Sequence, residues 1–127
     1  MTLRKIELGK RGEEIAVAYL KNLRYKIAER NFRISLGEID IIAWDGDTLC
    51  FIEVKTRMTI EHGTPWEAVS RIKQRKLSQL ALAYLKSRHL LKAKARFDIV
   101  AVTQNEHGQE EAQVLQDAFE LSPEYSY

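Results

Sequence analysis

The chain has 127 residues, 45% of them hydrophobic and 30% charged, with only 6 Gly, 2 Pro and a formal net charge of +2, which excludes disorder, fibrous repeats and more than one domain. Its 1 Cys allows neither an internal disulfide nor a zinc site of several thiolates. No apolar run approaches the ~20 residues of a membrane span, and the charged first residues carry no secretory signal, so a cytoplasmic protein that does not meet membranes is expected.

Leu8, Ile15, Ala16, Tyr19, Leu20 and Leu23 recur at helical spacing, so 7–23 reads as an amphipathic helix. Gly9 and Gly12 weaken its early turns, and close approach of another backbone or a ligand is one reason to keep them. Residues 26–34 alternate loosely as a strand and end in a turn at Ser35-Leu36-Gly37. Two further strands, 38–44 and 48–55, flank Asp45-Gly46-Asp47, a strong hairpin signal. With Asp45-Gly46 as the two-residue turn, Ile42 faces Leu49, Asp40 faces Phe51 and Glu38 faces Glu53. That register puts Glu38, Asp40, Ile42 and Trp44 on one sheet face with Leu49, Phe51, Glu53 and Lys55, and makes Asp40 and Glu53 diagonal neighbours. Ile39, Ile41, Ala43, Cys50, Ile52 and Val54 then share the other face.

Thr64, Pro65 and Glu67 read as the N-cap, first helical residue and capping-box acid of a second helix. Trp66, Val69, Ile72, Leu77, Leu80, Ala81 and Tyr84 carry it to about residue 88. A fourth strand follows at 96–103 and a fifth at 113–119, with 119–127 as the tail of a single domain, 1–127. The order α-β-β-β-α-β-(β) describes an α/β fold, a mixed β-sheet flanked by helices.

Charge is strongly segregated along the chain. Residues 71–96 hold nine basic groups and no acid, whereas 97–127 hold seven acids and no base. A solvated face normally mixes signs, so the basic block suits a surface that meets phosphates. Arg33, Arg57, Arg71, Lys73, Arg75, Lys76, Lys92 and Lys94 are the candidates, and Arg57, Lys73 and Arg75 lie nearest the acidic hairpin. Glu38, Asp40 and Glu53, with Lys55 beside them, crowd one end of a hairpin that is otherwise apolar on both faces. Clustered carboxylates next to buried surface are costly unless paired or metal-bound, and Mg2+ or Mn2+ suits such oxygen ligands. His62, His89 and His107 have no metal-ligand spacing, and Cys50 reads as a core residue.

Gly37-Glu38-Ile39-Asp40 followed by Phe51-Ile52-Glu53-Val54-Lys55-Thr56-Arg57 resembles the bipartite PD-(D/E)-x-K motif of the restriction-endonuclease-like superfamily, with Ile39 in place of the proline. More closely, the chain resembles the YraN-like family of predicted bacterial endonucleases, relatives of archaeal Holliday-junction resolvases. Gly12-Glu13-x-x-Ala16, Asn31-Phe32-Arg33, Lys73-Gln74-Arg75-Lys76-Leu77 and Arg96-Phe97-Asp98-Ile99-Val100 extend that likeness over most of the chain. The resemblance implies a restriction-endonuclease-like fold and metal-dependent cleavage of DNA, with branched or junction DNA among the substrates. Asp40 and Glu53 match the metal-binding carboxylates, and Lys55 matches the lysine that orients the attacking water. Glu13 matches a glutamate of the first helix that reaches toward the metal. Glu38 is read either as a supporting acid or as an outer ligand, and Gln74 either as a residue reaching the site or as a helix-edge amide.

Two other readings fit the same residues. One is a nucleic-acid-binding module without catalysis, which would show salt-sensitive binding but no metal uptake. The other is a protein-interaction domain, in which acidic 97–127 pairs with basic 71–96 across a homodimer.

Overall fold

The computed structural model describes residues 3–58 and 70–120, with side chains for 9–57 and 70–120. The elements are α1 (Leu3–Asn22), β1 (Lys26–Ile34), β2 (Gly37–Asp45), β3 (Thr48–Met58), α2 (Arg71–Ser87), β4 (Lys94–Gln104) and β5 (Glu110–Phe119). Their order is the expected one, and the fifth strand begins three residues earlier than its apolar pattern suggests.

The strands form one sheet in the order β1-β2-β3-β4-β5. Neighbours pair antiparallel except β3 and β4, which run parallel. A parallel pair needs a long crossover, and α2 supplies it. The two helices cover opposite faces. Ala16, Val17 and Leu20 of α1 pack on Ile41, Ala43, Cys50, Ile52, Val100 and Val102. Leu77, Leu80, Ala81, Tyr84 and Leu85 of α2 pack on Ile39, Ile42, Leu49, Phe51, Phe97 and Ile99. Burying a Leu or Ile fully contributes roughly 1.5–3 kcal/mol, so this double layer accounts for most of the drive to fold. Cys50 is buried in the core, and the surrounding apolar groups push its thiol up to about 12.

Neither helix ends on glycine. Arg24 (φ 71) and His89 (φ 57) take the left-handed conformation just past each helix. Tyr25 N–H then donates to Leu20 C=O and Arg24 N–H to Lys21 C=O; Leu90 and His89 repeat the pattern at α2. The second helix also begins later than its capping signals imply. Ser70 has extended ψ of 155°, and its Oγ accepts from Lys73 N–H, so α2 starts at Arg71. Leu8's side chain, His62, Thr64, Pro65, Trp66, Glu67 and Val69 lie outside the described residues.

Two expectations about the hairpin are corrected. Asp45 pairs with Thr48, so the turn residues are Gly46 and Asp47, and the β2–β3 register is shifted by two from the one expected. Gly46 has φ 61°, a conformation glycine adopts at little cost at the first central position of a hairpin turn. A two-residue shift preserves side-chain parity. Parity is lost elsewhere, because Ile39 packs with α2 and Ile41 with α1. The phase slips across Asp40, and the level residue in β1, Asn31, has φ 52°. Asn tolerates this region better than most side chains, so the two strands kink together there.

Gly12 shows why α1 can lie so low on the sheet. A methyl group there would meet Thr56 Oγ1 at 2.2 Å and its Cβ and Cγ2 at 3.2 Å, whereas nothing lies within 4 Å of one at Gly9. The β-branched Thr56 has little freedom to turn away. Gly9→Ala should therefore stabilise the fold by up to ~1 kcal/mol through helix propensity. Gly12→Ala should destabilise it by about 1–3 kcal/mol through overpacking. Denaturant midpoints compare the two, and shifts of the same sign would refute the close approach.

Candidate metal centre and nucleic-acid interface

The pairing of β2 and β3 runs from Asp45↔Thr48 to Ile41↔Ile52 and goes no further. Beyond it the strands part, and Val54 N–H donates to Asp40 Oδ2 at 2.8 Å instead of to a strand carbonyl. Asp40 therefore leaves the face expected for it and lies in the gap between strands, level with Glu53 and not diagonal to it.

Three elements bring acids to this gap. Glu13 of α1 and Glu38 and Asp40 of β2 each offer a carboxylate oxygen, all within 4.8 Å of one another, and all three residues are half-buried. Each has a partner. Asn31 donates its amide to Glu13 at 3.3 Å, and Arg33 bridges to Glu38 at 2.9 Å. Glu53 of β3 adds a further acid, and Lys73 Nζ of α2 meets its Oε1 at 2.5 Å. Glu13 and Glu38 thus share a ligand-sized group with Asp40, and Glu53, the other expected metal ligand, lies close enough for its charge to act on Asp40 more strongly than theirs.

Burial, and then the charge of Glu53, push the Asp40 carboxyl up to about 7; Glu13 and Glu38 add to this, and the Val54 N–H opposes it. A site of this kind holds a strained excess of negative charge. The donor set is all hard oxygen, which suits Mg2+ or Mn2+ over softer metals. Octahedral ligation at ~2.1 Å puts adjacent ligand oxygens about 3.0 Å apart and opposite ones about 4.2 Å apart, so the three side chains would have to close in to hold such an ion.

Lys55 follows Glu53 by two positions on β3 and is half-buried. Arg57 is half-buried farther along the same strand. Gln74 is half-buried on α2, one turn before the buried Leu77, and Arg71, Arg75 and Lys76 are exposed on the same helix start. The basic block 71–96 does not stay together. Lys94 pairs with Asp47 at the hairpin tip. Arg96 joins the buried Asp98 at 2.9 Å. Both lie at the far end of the sheet, because the 17 residues of α2 carry the chain about 26 Å. Lys92 precedes β4 at that same end, so Lys92 and Lys94 are not neighbours of the acids.

Other cations take their place. An open cleft of about 730 Å³ between α1 and β1 is lined by Lys10, Arg11, Arg30 and Arg33, with Glu13 and Glu38 among its acids. A second cavity, of about 310 Å³, lies between the β1–β2 turn and α2, lined by Lys73, Lys76 and again Glu38. The acids are thus approached between two basic flanks. Only Arg33, Lys73 and Lys76 of these cations stood out in the sequence. Lys10, Arg11 and Arg30 sit in mixed-sign segments, and no local pattern distinguishes them from ordinary surface.

The raised Asp40 value has a measurable consequence. Because its ordinary value is 3.8 and the folded one about 7, the native protein keeps a proton that the unfolded chain releases. That contribution is complete below about pH 4 and disappears as pH rises through 7. In EDTA, wild-type stability should fall between pH 5 and pH 8 relative to Asp40→Asn, by roughly 2–4 kcal/mol. Parallel pH profiles in chemical denaturation would show that Asp40 ionises normally.

Among the described residues, no helix is long and apolar enough to cross a membrane. A family described as "Uncharacterised protein family UPF0102" matches residues 12–102, a range that contains Glu13, Glu38, Asp40 and Glu53. A "UPF0102 protein" of Geotalea uraniireducens is 51% identical over 115 residues, covering 91% of each chain. One from Geobacter sulfurreducens is 49% identical over 115 residues, covering 91% of this chain and 90% of the relative. Another, from Caldicellulosiruptor saccharolyticus, is 46% identical over 103 residues, covering 81% and 87%. With a match across most of its length and several relatives near half identity, this chain belongs to the UPF0102 family.

Proposed function

We propose that the protein is a Mg2+- or Mn2+-dependent endonuclease of the restriction-endonuclease-like type, acting in the cytoplasm on phosphodiester bonds of DNA, branched or junction DNA included. The observation that carries this reading is the gap between β2 and β3. There Glu13, Glu38 and Asp40 converge, Glu53 adds a fourth acid, and burial together with the neighbouring acids lifts Asp40 to about 7. Such a site is a poor structural device and a good cation trap.

Glu13, Glu38 and Asp40 would hold the ion, with Glu53 at its edge. A bound divalent cation supplies Lewis acidity toward a phosphoryl oxygen and makes a water more acidic. Lys55, two residues beyond Glu53, orients the attacking water or offsets charge that builds on the phosphorus. Arg33 and Lys73 flank the acids from β1 and α2, where they meet the phosphates on either side of the scissile one. Lys10, Arg11 and Arg30 extend the cationic flank along the cleft. These contacts are with the backbone, so binding is independent of sequence and weakens steeply with salt.

A cleavage screen over linear, single-stranded, flapped and four-way DNA with each metal tests the proposal. Asp40→Ala, Glu53→Ala and Lys55→Ala should each lower cleavage by about 10²-fold or more. Metal-free DNA binding should hold or strengthen in the two acid variants, because each deleted carboxylate repels phosphate. Equal cleavage by wild type and all three variants would mark the activity as a contaminant. Salt-sensitive DNA binding with neither metal uptake nor cleavage would leave the non-catalytic binding module in its place.

A further inference from the structure

We infer that Lys73 is a stand-in cation: its ammonium neutralises Glu53 while the site is metal-free, and passes to a substrate phosphate once Glu53 is shared with a divalent ion. This rests on the nuclease reading and assigns Lys73 a role beyond plain phosphate binding.

Three observations lead to it. The first is the pattern of compensation around the gap, where each carboxylate has a partner from a different direction. Asn31 serves Glu13, Arg33 serves Glu38, the Val54 amide serves Asp40, and Lys73 serves Glu53. Two of these partners are cations on long side chains, and Lys73 reaches the site from α2. Second, Lys73 occupies a poor place for a cation. It lies in the first turn of α2, which contains no acid, and the helix dipole disfavours positive charge there. Glu53 offsets that local cost, so the pair satisfies both groups without any metal.

Third, the two ends of the pair differ in freedom. The Glu53 side chain is only 13% exposed, whereas Lys73 is 48% exposed. A lysine is a compact charge on a flexible stem, so it can swing away while Glu53 stays. The cavity that Lys73 lines with Lys76 and Glu38 opens beside the pair and gives the released ammonium a place to meet phosphate.

Competition for Glu53 predicts opposite effects on two ligands. Lys73→Gln should bind Mn2+ more tightly, by about two- to fivefold, the range expected from losing one partly exposed ion pair. The same variant should bind cleavage-resistant phosphorothioate DNA more weakly in Mn2+, with the salt slope reduced by about 0.9, and should keep a near wild-type slope in EDTA, where Lys73 is held by Glu53. Lys73→Arg keeps a competing charge and should return Mn2+ affinity to near wild type. Calorimetric Mn2+ titrations at pH 8 provide the main readout, with thermal unfolding as the check that each variant is folded. A lysine that only bound phosphate would leave Mn2+ affinity unmoved, and one that only braced the fold would lower it; either result overturns the inference. Wild-type protein that is folded yet takes up no Mn2+ would remove the nuclease reading as well. Uptake by wild type with no gain in Lys73→Gln removes the role of Lys73 alone.

Discussion

One hydrogen bond organises this molecule: the Val54 peptide N–H donates to the Asp40 carboxylate where a strand carbonyl would otherwise accept. By taking that donor, the side chain ends the β2–β3 ladder and keeps a buried amide satisfied as the strands part. The described acids that group within 4.8 Å of one another sit at this opening. Glu13 enters from one helix, Lys73 from the other, and Glu38 borders the cavities on both sides.

The opposite end of the sheet solves the same problem differently. Asp98 is 1% exposed, and its carboxylate takes hydrogen bonds from Tyr25, Arg96 and Asp117 N–H. Arg96 in turn reaches Asp45 at the hairpin tip, 2.7 Å away. That carboxylate is paired and surrounded by donors, as a buried charge must be. At the gap, three carboxylates also lie within 4.8 Å of one another. The two ends of the sheet thus differ, one holding a buried carboxylate ringed by donors and the other a group of neighbouring acids.

Local approach makes the crowding possible. Gly12 lets α1 settle against Thr56, and the next residue, Glu13, is thereby delivered to the acids of β2. The kink shared by Asn31 and Asp40 turns two consecutive positions of each strand toward α1. Without it, Asp40 would sit on the α2 face beside Ile42 and Phe51, and the Glu13 carboxylate would lie across the sheet from it.

Periodicity, turn residues and composition by themselves determined the element order, the mixed sheet, the two hairpins, and the fact that Glu38, Asp40, Glu53 and Lys55 gather at one end of a buried ribbon. These are local properties, because alternation and turn chemistry act over a few residues. Tertiary structure alone decided the two-residue shift in register, the turning of Ile39 and Asp40 to unexpected sides, and the approach of Glu13 and Glu38 to Asp40. It also divided the basic block, since one helix length separates Lys73 from Lys94 although both carry the same charge. A backbone kink at Asn31, a missing β-carbon at Gly12 and a peptide donor at Val54 depend on what lies across space, and no local pattern of residues encodes that.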